Sequence, residues 1–269
     1  MTRTTRAALG LVVLTLRNLA AGKRARAGAF LLLLPPLLAL IMSLSRTGQE
    51  VDALRVYQGV VFQFSLWFMI YLLALVFGLA LSSGEIEDGT AGYLYLGALP
   101  RWLVVLLQAT ATVAALSLLL MASLGLTALA AGIGRGGIPR FWHYVGLCTL
   151  AGSAALTVAV SYTMTCGFVF RTPLGALAAA VIPVFFWELM VTLLPIRFAA
   201  WTVTNNVRAL LLPMIFEGRR VQPLYNYVQN WRLPDFGEAA TYLSVLSGLF
   251  LCTAMVAAMN RSIEGKEAR

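Results

Sequence analysis

Apolar residues in this chain gather into long, nearly unbroken runs rather than the alternating or helical-face patterns of a half-buried strand or helix. Six runs reach the roughly 20 residues needed to cross the hydrocarbon layer of a bilayer. They are Ala27 to Ser45, Tyr57 to Leu81, Trp102 to Ala131, Tyr144 to Phe170, Leu174 to Leu194 and Ala240 to Met259. The pattern predicts an all-α polytopic membrane protein, in which residues 27–269 form one six-helix transmembrane domain with a long outer loop at 195–239. Pro35-Pro36 and Pro183 fall inside the first and fifth runs. Each proline removes a backbone donor, which membrane helices tolerate when neighbours bond the freed carbonyls.

Residues 1–26 follow a different period. At 3.6 residues per turn Arg6, Gly10 and Arg17 share an arc of about 40°, while Leu9, Val12, Val13, Leu16, Leu19 and Ala20 occupy the opposite side. This predicts an amphipathic helix on the cytoplasmic surface. Arg6, Arg17, Lys23, Arg24 and Arg26 are then the candidate contacts to lipid headgroups or a protein partner. The basic start and the run Ala7 to Leu16 have the outline of a secretory signal. Arg17 interrupts that run, and Lys23, Arg24 and Arg26 stand where small residues would mark cleavage, so the segment reads as retained.

Composition narrows the class. The chain is 60% hydrophobic and 12% charged, about half the charged share of soluble domains, which excludes an ordinary soluble enzyme. The net charge is +9, from 20 Lys+Arg against 11 Asp+Glu. Two thirds of that excess precedes the first crossing, with no acid among it, so the positive charge speaks for lipid and orientation and not for nucleic acid. The next loop balances Arg46 and Arg55 against Glu50 and Asp52. By the positive-inside rule the N-terminus is cytoplasmic, and six crossings return Arg261, Lys266 and Arg269 to the same side. The expected location is within a membrane.

Catalytic chemistry is sparse. A phosphate-binding loop needs a lysine and a hydroxyl after its glycines, yet Gly22-Lys23 is followed by Arg24, Gly265-Lys266 by Glu267, and the run Gly132 to Gly137 has no lysine. His143 is the single histidine, and Cys148, Cys166 and Cys252 all fall in predicted helices, where packing is their default role. We expect no catalytic residue, no metal site and no cofactor bound by this chain. Glu188 is the one acid well inside a predicted crossing. A carboxylate there is costly and marks either a pathway or outer gate, or a structural acid that snorkels or pairs with Arg197.

The segment between the second and third crossings is the most distinctive. It reads Gly84-Glu85-Ile86-Glu87-Asp88-Gly89-Thr90, then the apolar stretch Ala91 to Leu99, then Pro100-Arg101. Thr90 is placed to cap a short helix that lays Tyr93, Leu94, Leu96 and Leu99 along the membrane interface. Such a helix is a docking surface for a soluble partner, or the loop serves only to stop translocation.

An acid, Glu85 or Glu87, ahead of Gly89-Thr90, then an apolar run and Pro100-Arg101, resembles the inner-membrane permeases of type-2 ABC exporters. The six-helix plan, the basic N-terminal helix and the long loop before the last crossing are similar too, so the resemblance covers essentially the whole chain. Where that family often has a lysine a few residues into the third crossing, this chain has Gln108. The resemblance implies a permease paired with a second copy, identical or sibling, and two separate ATPase subunits that hold ATP and Mg. It also implies that Glu85, Glu87, Asp88, Gly89, Thr90 and Arg101 couple the permease to the ATPase. Two other classes fit the residues: a membrane scaffold that recruits a cytoplasmic partner, and a gradient-driven carrier. The carrier is opposed by the lack of paired buried charges and of internal repeats.

Overall fold

The computed structural model describes residues 3–20, 22–45, 53–84, 99–133, 141–170, 172–190, 201–211 and 234–260. Every regular element among them is helical: α1 (Arg3–Ala20), α2 (Gly22–Ser45), α3 (Ala53–Val60), α4 (Ile70–Gly78), α5 (Arg101–Gly132), α6 (Phe141–Val169), α7 (Pro173–Met190), α8 (Val203–Leu210) and α9 (Phe236–Asn260). A π-helical stretch, Val61–Met69, joins α3 and α4, and a second, Ala80–Gly84, follows α4, so that Ala53–Ser82 is one continuous span.

Five spans are long and apolar enough to cross a membrane: Arg24–Ser45, Ala53–Ser82, Arg101–Gly132, Trp142–Val169 and Phe236–Asn260. The second begins four residues before the apolar run that predicts it, because Ala53 and Val56 are already buried. The remaining run, Leu174 to Leu194, meets α7, whose apolar part Pro173–Val184 is shorter than a full crossing; residues 191–194 lie outside the described residues.

The prolines show how the bundle is tied. Pro36 has no N–H for the carbonyl of Leu32, four residues back, and the Ser123 hydroxyl of α5 donates to that oxygen at 2.5 Å. Pro183 likewise frees the carbonyl of Ala179, which accepts from the Tyr162 hydroxyl of α6 at 2.6 Å. Both of these carbonyls are thus satisfied by a hydroxyl from a neighbouring helix, as an environment without water requires. Tyr162→Phe is expected to destabilise the protein by about 1–3 kcal/mol by orphaning that carbonyl. The loss should shrink in a Pro183→Ala background, where the helix recovers its own donor. Unfolding of the four variants in mixed micelles measures the difference, and equal losses in both backgrounds would rule this linkage out.

Helix directions follow from the same bonds. Ser43 of α2 donates to the carbonyl of Ile133 at 3.1 Å while Leu32 meets Ser123, so α2 and α5 run parallel. Arg101, at the start of α5, donates to the carbonyl of Met259 at 3.3 Å, which puts the beginning of α5 and the end of α9 at one end of the bundle. Thr149, Ser153 and Thr157 of α6 each donate to the carbonyl four residues before, so these hydroxyls sit in an apolar bundle without needing a partner helix, whereas the Thr165 hydroxyl also reaches the Phe250 carbonyl of α9 at 2.8 Å.

Candidate functional site

Two places gather the residues singled out by sequence. The first is the end of the bundle where α5 begins. Leu11 of α1 packs with Leu99 and Val104, and Ala7, Ala8, Leu103 and Leu107 close around them. Thr15 is buried on the same face and donates to the carbonyl of Leu11 at 2.9 Å. The helix therefore has three faces. Leu11 and Thr15 dock on the protein, Leu9, Val13 and Leu16 are exposed apolar residues, and Arg6 and Arg17 are exposed cations. Arg24 and Arg26 are exposed on the first turns of α2, and the side chain of Lys23 lies outside the described residues.

Of the expected coupling residues, Arg101 is described and half-buried, tied to the end of α9. Glu85, Glu87, Asp88, Gly89 and Thr90 lie outside the described residues. The described chain breaks off at Gly84 and resumes at Leu99, whose side chain already belongs to the cluster under α1.

The second place surrounds Glu188, near the C-terminal end of α7 and only 8% exposed. Its Oε1 accepts from the Tyr71 hydroxyl of α4 at 3.2 Å and from the backbone N–H of Val203 at 3.1 Å. Val203 opens α8, a two-turn helix that lies within the predicted outer loop. Thr202 caps it: its side chain accepts from the Asn205 N–H at 3.3 Å, and its carbonyl accepts from Asn206 Nδ2 at 2.7 Å. The carboxylate fits this position because the first N–H groups of a helix lack intrahelical acceptors and carry partial positive charge. Arg208, further along α8, is within electrostatic reach of Glu188 without forming an ion pair with it, and its Nε has no hydrogen-bond partner.

Below α8 a cavity of about 210 Å³ is lined by residues of α4, α6, α7 and α9, with Glu188 and Trp201 on its wall. Tyr242 of α9 donates to the carbonyl of Trp201 at 2.5 Å, fixing the entry to α8 from the other side. Sequence reading found Glu188 but not Tyr71, Val203 or Tyr242. The signal for α8 was the Thr-x-x-Asn spacing at Thr202, an ordinary N-cap. Arg197, the expected partner, lies outside the described residues, and the donors seen on the carboxylate are neutral.

Elsewhere the candidate chemistry stays dispersed. Cys148 and Cys166 are buried and Cys252 is exposed, all as free thiols. His143 is exposed, its ring edge-on to Tyr144 with centroids 5.9 Å apart. Among the described residues no three His, Cys, Asp or Glu side chains come together as a metal site would require. No protein-family model matches this chain, and no curated protein matches it significantly.

Proposed function

We propose that this chain is the membrane subunit of an ATP-driven exporter of the type-2 ABC class. It forms a translocation path with a second copy, identical or sibling, in a bacterial cytoplasmic membrane, and takes its energy from two ATPase subunits that carry ATP and Mg. The observation that supports this reading best is the cluster of Leu11, Leu99 and Val104. It fixes a basic, lipid-seeking helix beside the start of α5, which the acidic segment precedes in sequence.

In this reading Glu85, Glu87 and Asp88 meet cationic or polar groups on the ATPase, which sets register and encounter more than affinity. Movement of the docked segment reaches the bundle through Leu99 and Arg101, which bear on α1 and α9 respectively. The third crossing then moves together with the amphipathic helix and the last crossing. Purification in mild detergent tests the proposal. An ATPase subunit is expected to co-elute, and Glu85→Ala, Glu87→Ala and Thr90→Ala are each expected to weaken its association by about 1–2 kcal/mol, roughly tenfold. Recovery of no ATPase, or of one whose turnover ignores all three substitutions, would overturn it.

A further inference from the structure

The cavity below α8 combines an apolar, aromatic wall with a single kind of charge. Tyr71, Val158, Tyr162, Ala180, Tyr242 and Phe250 line it, and Glu188 is the acid among its lining residues. The hydroxyls of Tyr162 and Tyr242 are already engaged by the carbonyls of Ala179 and Trp201. Glu188 receives hydrogen bonds from Tyr71 and Val203 on one oxygen, both from neutral donors. Its charge therefore has no cation in direct contact among the described residues, and Arg208 acts on it only at a distance. A buried carboxylate beside aromatic rings, in a space too apolar for bulk water, is the environment that favours an organic cation.

We infer that this cavity binds a small amphiphilic amine. The ammonium group sits at the Glu188 carboxylate beside the rings of Tyr71 and Tyr242, and a short apolar tail lies against Val158, Tyr162, Ala180 and Phe250. A volume of about 210 Å³ holds roughly ten non-hydrogen atoms at the density of a protein interior. That matches an alkylammonium with a phenyl or similar tail. The site lies within one copy of the chain and needs neither a second copy nor an ATPase.

Phenylbutylamine and its uncharged analogue phenylbutanol serve as probes. Binding is measured by equilibrium dialysis on the purified full chain in nanodiscs of zwitterionic phosphatidylcholine, with empty nanodiscs subtracted. We expect saturable binding of the amine, with the alcohol about tenfold weaker or more. Glu188→Gln keeps an oxygen for the donors of Tyr71 and Val203 but loses the charge, so it should erase the preference for the amine. Leu246→Trp fills the cavity from α9 without touching those hydrogen bonds and should abolish binding of both probes. Equal affinity for amine and alcohol, non-saturable uptake, or an amine preference that survives Glu188→Gln would overturn the inference. The measurement contains no ATPase, so its failure leaves the exporter reading to its own test.

Discussion

Gly78→Leu is expected to leave no folded protein in mild detergent, and Gly78→Ala to lose about 1–3 kcal/mol of stability. Gly78 ends α4, and a Cβ added there would overlap Thr163 Oγ1 and lie 3.0 Å from Thr163 Cβ. Rotation of the threonine relieves only the first of these contacts. The second is set by the backbones of α4 and α6, so a larger residue forces the helices apart. That separation also breaks the 3.1 Å bond from the Thr163 hydroxyl to the Ala74 carbonyl. Thr163→Ala should restore part of the stability of Gly78→Ala, and a double-mutant cycle measures the coupling. Size-exclusion profiles and unfolding titrations provide the readout. A Gly78→Leu protein that elutes and unfolds like the parent would show that α4 and α6 do not pack this closely.

Glu188→Ala is expected to free α8 from the bundle. The substitution orphans the Tyr71 hydroxyl and the Val203 N–H, and each buried donor left without an acceptor costs about 1–3 kcal/mol. The consequence can be read at Ala209, which is fully buried. A cysteine placed there, with the exposed Cys252 first replaced, should react slowly with a small maleimide in the parent and at least about tenfold faster with Glu188→Ala, the ratio set by the lost opening energy. Glu188→Gln retains a carbonyl acceptor and should stay slow. Slow reaction in all three would mean that α8 is held by its apolar contacts alone, with Glu188 incidental to its position.

The membrane helices were legible because an apolar run of this length has few other uses, and five of the six runs meet helices of sufficient length. The N-terminal helix was legible as amphipathic, but its docking face was not. Leu11 and Thr15 lie between the basic and apolar arcs, and only packing against Leu99 and Val104 distinguishes them. Helix α8 was hidden by its own polarity. Asn205 and Asn206 read as loop residues, yet both are buried, and Thr202 accepts from the Asn205 backbone N–H and from the Asn206 side-chain amide. The partners of Glu188 were out of reach for a different reason. Tyr71 is 117 residues away in sequence, and nothing local marks a tyrosine in an apolar run as a donor to a distant acid. Arg197 drew attention only as the nearest cation in sequence. Of the residues proposed to couple to an ATPase, those at 85–90 lie outside the described residues, and Arg101 alone can be placed.

The 32 residues of α5 rise about 48 Å at 1.5 Å each. A hydrocarbon core measures about 30 Å, and headgroups bring the bilayer to roughly 40–45 Å. Even a tilt of about 40° leaves a projection of roughly 37 Å, so this helix extends into a headgroup layer at any ordinary inclination. Trp102 in its first turn is exposed, as is Trp142 at the opposite end of the bundle, and indoles settle at headgroup depth. Helix α5 is thus a strut matched to the whole bilayer, and a thinner membrane is met by greater inclination. Because α1 is seated on its first turns, any such change alters the angle at which α1 meets the lipid surface. A change of membrane thickness would thereby be felt at the end of the molecule where the chain enters α5.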